Sequence, residues 1–176
     1  EARYCILIAA ILYCGASLVS WSLPDNFSFL NEALKKLADQ FLGKSAIGFM
    51  SRLFVHNLIA TYFDMCVLVL FGFIPITIAV LNGLILGFVI ASAPGVSASH
   101  MLSLLVPHGI FEWPAMMIAW GIGLWRGCGY RFSKTHTTYK ERWIGANKVF
   151  ITVVFPLLLI AAIIEGRYHI VKELFP

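Results

Sequence analysis

Pro107-His108-Gly109-Ile110-Phe111-Glu112-Trp113-Pro114 places an imidazole and a carboxylate four residues apart at the entrance of a strongly apolar segment. On a helix the two side chains share one face, one turn apart. The same face continues through Ala115, Ala119, Gly123 and Gly127, the small-residue spacing that lets a second membrane helix approach closely. Two ionisable groups therefore stand at the top of a packing seam. Facing hydrocarbon they would be costly, so they are expected to face protein or a polar cavity and to have partners there.

Working outward, the composition sets the class. Of 176 residues, 60% are hydrophobic and 12% charged, and the mean hydropathy is +0.84, which excludes an ordinary soluble domain and implies a polytopic membrane protein. The chain has no P-loop, dinucleotide fingerprint or EF-hand spacing. Cys5, Cys14, Cys66 and Cys128 are scattered without metal-ligand or redox spacing and read as small apolar residues. The net charge of +4 gathers after Trp21 and from Arg126 to Lys148, which suits anionic lipid headgroups and not nucleic acid.

In chain order, residues 1–25 form a first span, with Tyr4 to Leu23 uncharged and closed by Pro24-Asp25. It is expected to be a retained span and not a cleaved signal peptide. Residues 26–51 read as an amphipathic interfacial helix, with Phe27, Leu30, Leu34, Leu37 and Phe41 opposite Asn31, Glu32, Lys35, Lys36 and Asp39. Residues 52–93 form a helical hairpin. Its first arm carries His56, Asn57, Thr61 and Asp64; its second carries an Ala79, Gly83, Gly87, Ala91 seam with Asn82 at mid-depth, expected to bond a neighbouring helix.

Residues 94–125 form a loop and the span with the Pro-His-Gly block. Proline lacks an amide hydrogen and disfavours helix before it, so the approach to Pro107 is expected to meet span four at an angle, with a sixth, re-entrant piece as the alternative. Residues 126–143 read as a basic loop and residues 144–176 as the last span and tail, kinked at Pro156. The fold class is all-α, a transmembrane bundle of about five spans. With five alternating helices, the start of span two, the start of span four and the end of span five share one face of the membrane. His56, Asn57, His108, Glu112 and Glu165 then lie at one depth. Lys/Arg bias puts the 126–148 side, and the amino terminus, in the cytoplasm.

The chain resembles the stage II sporulation protein M family. The likeness runs through Asn57, Asn82-Gly83 with Gly87, the Pro107 to Glu112 block and Ala161-Ala162-Ile163-Ile164-Glu165, from about Arg52 onward. It implies a multi-pass protein of the cell membrane. The family's namesake belongs to a membrane complex that recruits peptidoglycan-degrading partners during engulfment.

Three functions follow for the polar level. As a scaffold, the chain would bind protein partners or its own copies in the lipid bilayer. As a metal-dependent intramembrane hydrolase, it would hold zinc or another divalent transition metal on His108, Glu112, Glu165 and His56, with Glu112 or Glu165 as general base. As an ion or small-solute transporter, it would use Asn57, Thr61, Asp64 and Asn82 as a descending path. The balance favours a non-enzymatic component whose buried polar site is a metal candidate.

Overall fold

The computed structural model describes residues 1–39, 46–67, 69–92, 95, 97–132 and 137–174, and side chains are considered only where they too are described. The chain forms α1 (Ala2–Ser22), α2 (Leu30–Asp39), α3 (Ala46–Tyr62), α4 (Phe73–Ser92), α5 (Ala98–Phe132), α6 (Tyr139–Val149) and α7 (Phe155–Leu174). No strand occurs among the described residues. Four helical stretches are long and apolar enough to cross a membrane: Ala2–Ser22, Leu70–Ser92, Ala98–Cys128 and Tyr139–Gly166. α3, of 17 residues and continued by a π-helical turn at Phe63–Val67, is shorter than these four and packs against α7 beside them.

Helices α1 and α4 run parallel and touch backbone to backbone. Gly83 lies against the Tyr13 carbonyl and Gly87 against the Ser17 carbonyl, where any Cβ would collide. That close approach lets Ser20 Oγ donate to the Leu84 carbonyl at 2.6 Å. On α5, Ala115 and Ala119 are buried, Gly123 sits under Pro75 and the Asp64 carbonyl, and Gly127 meets the backbone of Gly72. A second contact line on α5, absent from the sequence reading, brings Gly121 onto the backbone of Ile6 in α1. The α3–α4 turn uses positive φ at Leu70, Phe71 and Gly72. Only the glycine adopts this region without strain, so the turn relies on its neighbours, including Cys128 Sγ donating to the Phe71 carbonyl at 2.7 Å.

Four expectations change. First, Pro107 does not break the chain: α5 is continuous through both Pro107 and Pro114. Each proline forfeits one amide-to-carbonyl bond, a loss that membrane helices tolerate when packed neighbours hold the backbone, so no re-entrant piece forms.

Second, the described residues of 126–143 are mostly helical. α5 runs to Phe132 and α6 starts at Tyr139, with Thr138 and Glu141 forming a reciprocal capping box. Arg126 and Arg142 are each 1% exposed. Glycines at 127 and 129 suggested a loop, yet Gly127 serves close packing; Lys134 lies outside the described residues.

Third, the irregularity near Pro156 is the π-helical turn Phe150–Val154, where the Phe155 N–H reaches back to the Phe150 carbonyl. The extra residue in that turn makes room for a ring that cannot donate to the preceding turn. Fourth, the amphipathic helix starts at Leu30 and not at residue 26, and is described as far as Asp39. Leu30 is buried, Glu32, Lys35 and Lys36 are exposed, Ala46 to Met50 already belong to α3, and Phe41 lies outside the described residues.

The core has two parts. Met65, Cys66, Ala115, Ala119, Ile122, Ala146, Phe150, Val154 and Leu158 fill the space between α3, α5, α6 and α7. Ala9, Tyr13, Ala79 and Trp120 fill the space between α1, α4 and α5. Helix α5 belongs to both and is the axis of the molecule.

Candidate functional site

Helices α3 and α5 run parallel, and α7 runs antiparallel to both. The start of α3, the first half of α5 and the end of α7 therefore meet at one level. There His108 Nδ1 lies 2.6 Å from Glu165 Oε2, linking α5 to α7. One turn further along α5, Glu112 Oε1 accepts a hydrogen bond of 2.9 Å from Asn57 Nδ2, linking α5 to α3. The structure thus brings together four of the residues singled out by sequence. His56 stays apart: it is exposed on the adjacent face of α3, because one residue along a helix turns the side chain through about 100°.

Local sequence explains the fit. Gly109 leaves a gap that the Trp113 ring covers, and at the end of α7 Gly166 leaves room for Met50 of α3. Two cavities flank the cluster. A void of about 10 Å³, enough for roughly one water, is bordered by Asn57, Glu112 and Glu165 with the apolar wall of Leu53, Phe54 and Leu158. A larger cavity of about 280 Å³ lies between the start of α5 and the end of α7, with His108 and Glu165 in its lining. Among the described residues no three His, Cys, Asp or Glu side chains form a group that could hold a metal ion.

The remaining candidates sit elsewhere. Asp64 is buried in the π-helical turn after α3, and its Oδ2 accepts from Trp120 Nε1 at 3.2 Å. Trp120 in turn packs at a tilt of 40° against Tyr13, with ring centroids 5.5 Å apart. Asn82 does not reach a neighbouring helix: its Nδ2 donates to the Ile78 carbonyl of α4 at 2.9 Å. Sharing one face in sequence does not bring a side chain within reach of a partner, and here the nearer backbone acceptor wins.

Two arginines expected in a loop are instead buried and close the other end of the bundle. Arg126 donates to the Met65 carbonyl at 2.8 Å and the Tyr139 hydroxyl at 3.0 Å. Arg142 donates to Thr137 Oγ1 at 2.9 Å and the Trp125 carbonyl at 3.2 Å, and stacks over the Trp125 ring at 4.8 Å. The signal that could have found Arg126 is the spacing of four through Gly123 and Gly127, which carries the helix past it.

A family model described as stage II sporulation protein M matches residues 4–168. The chain belongs to the stage II sporulation protein M family. The match reaches well upstream of Arg52, so α1 and α2 are part of the family unit along with the polar level. No curated protein and no solved structure matches this family member. It is an integral, multi-pass membrane protein, and the His108–Glu165 and Asn57–Glu112 pairs lie inside the matched region.

Proposed function

We propose that this protein is a non-enzymatic membrane scaffold that recruits protein partners, with its polar cluster serving as a lock between helices. The observation that carries the reading is that the cluster ties three helices together, Asn57 of α3 to Glu112 of α5 and His108 of α5 to Glu165 of α7. Polar pairs of this kind set rotation and register where hydrocarbon supplies no other directional force. The void beside Glu112 and Asn57 has room for about one water, which suits an interhelical bond at that pair.

In this reading the amino terminus is cytoplasmic, and the end of the bundle that carries Arg126 and Arg142 faces the cytoplasm. The polar level and α2 face the opposite side. There α2 presents Glu32, Lys35 and Lys36 outward, the surface proposed to meet a partner or a second copy of the chain.

The discriminating variant is Glu112→Gln, which keeps an acceptor for Asn57 and removes the carboxylate. Cross-linked membranes should show the same partner set for Glu112→Gln as for wild type, and loss of that set when residues 30–39 are replaced by a polar helix. Loss of biological activity in a folded Glu112→Gln protein, together with stoichiometric zinc in wild type purified without chelating resin, would replace the scaffold by the metal-dependent hydrolase on His108, Glu112 and Glu165.

A further inference from the structure

At the end of the bundle away from the polar level, the buried side chains of Arg126 and Arg142 are held in the same pattern. In each guanidinium, Nη1 donates to a backbone carbonyl, Met65 for Arg126 at 2.8 Å and Trp125 for Arg142 at 3.2 Å. The opposite edge, formed by Nε and Nη2, is the fork that takes two oxygens of a phosphate or carboxylate at once. On Arg126, Nη2 of that fork donates to the Tyr139 hydroxyl at 3.0 Å, and Nε has no partner among the described residues. On Arg142 the roles swap: Nε donates to Thr137 Oγ1 at 2.9 Å, and Nη2 has no partner among them. Each fork is thus closed on one prong by a neutral hydroxyl and unsatisfied on the other. Trp125 Nε1, whose ring lies under Arg142, is a third buried donor without an acceptor among the described residues.

Buried donors are almost always satisfied, and those of a charged group are the costliest to leave alone. The sign of what would satisfy these is fixed by covalent chemistry. Guanidinium and indole N–H groups only donate, and arginine keeps its charge in proteins. Neither guanidinium pairs with a carboxylate among the described residues. Asp64 accepts from Trp120, and Glu141 is exposed and held by Thr138. Two fixed positive charges with spare donors call for an anion, and two forks call for one with several oxygens. A terminal phosphate offers three free oxygens and close to two negative charges at neutral pH, whereas a phosphodiester has fewer of both. The depth agrees. The apolar stretch Ala98–Cys128 ends two residues past Arg126, and Tyr139–Gly166 begins three residues before Arg142, so the forks lie at the membrane boundary, the level of headgroup phosphates. Thr137 is partly exposed and Tyr139 is exposed, so the way in from the surface leads past the two hydroxyls.

From this we infer that Arg126 and Arg142 bind a terminal phosphate group, each through its Nε–Nη2 edge, with the Thr137 and Tyr139 hydroxyls as placeholders that the phosphate displaces. Such a group is carried both by a phosphatidic acid headgroup and by free inorganic phosphate. The site lies at the far end from α2 and goes beyond partner recruitment there.

The test uses the whole chain, delipidated in a neutral detergent at constant ionic strength, with thermal unfolding as readout. Dioctanoyl phosphatidic acid or inorganic phosphate should raise the midpoint saturably, while dioctanoyl phosphatidylglycerol, dioctanoyl phosphatidylcholine and chloride should give less than a fifth of that shift. A shift with the lipid alone assigns a headgroup, one with inorganic phosphate alone a soluble ligand, and both together either source; each upholds phosphate binding. Arg126→Lys and Arg142→Lys keep the charge, lose the fork and should cut the shift below a fifth. Lys140→Gln removes an exposed neighbouring charge and should leave it unchanged. Tyr139→Phe removes one placeholder, keeps the ring that lies 5.2 Å from the Arg126 guanidinium, and should enlarge it. No shift in wild type, an equal shift with phosphatidylglycerol, an undiminished shift in a folded arginine variant, or loss of the shift in Lys140→Gln overturns the proposal. If neither arginine variant folds, Tyr139→Phe decides, and a shift no larger than that of wild type overturns it. None of these results depends on α2, so failure here leaves the scaffold reading standing.

Discussion

Breaking the Asn57–Glu112 bond measures how far the polar level holds the bundle together. The donor is a neutral amide and the acceptor a carboxyl oxygen at 2.9 Å, a geometry with no distance penalty. In water-soluble proteins a hydrogen bond to a charged group contributes about 1.5–3 kcal/mol. In membrane proteins coupling energies average about 0.6 kcal/mol and reach about 1.7, because the unfolded chain in lipid also finds partners. The void of about 10 Å³ beside the pair admits roughly one water, which can replace the amide donor once Asn57 is shortened. The pair should therefore fall inside the membrane range, and a coupling of about 1 kcal/mol is expected.

The assay is a double-mutant cycle over Asn57→Ala, Glu112→Ala and the double variant, followed by reversible unfolding in mixed micelles. Each single variant should cost about 1–2 kcal/mol, and the double variant about 1 kcal/mol less than their sum. Strict additivity would refute the reasoning, since it would mean that the two groups do not interact in the folded state. A coupling above about 3 kcal/mol would refute it too, because no water could then be replacing the lost donor.

Three further outcomes follow from the packing. Gly87→Ala should destabilise by about 1–3 kcal/mol through overpacking against the Ser17 carbonyl, whereas Gly15→Ala, with nothing within 4 Å, should be neutral or stabilising by up to about 1 kcal/mol in the same unfolding assay. Arg126→Lys keeps the charge but loses the planar fork that reaches both the Met65 carbonyl and the Tyr139 hydroxyl, so a loss of about 2–3 kcal/mol is expected by denaturant titration. Thr138→Ala removes one half of the capping box and should cost about 1 kcal/mol, with faster amide exchange confined to the first turn of α6.

Sequence alone determined the membrane class, the approximate spans and the depth of the polar groups. Hydropathy and span count are local properties, and helices that alternate in direction carry His108, Glu112, Asn57 and Glu165 to one level whatever their packing. Rotation about each helix axis is not local. Which carboxylate takes which partner, that His56 points away, and that Asn82 turns back on its own helix were decided when the helices docked. The same holds for Pro107, where packed neighbours let the helix continue past a residue that disfavours it. It holds as well for Arg126 and Arg142, whose burial depends on carbonyl and hydroxyl acceptors contributed by other segments of the fold.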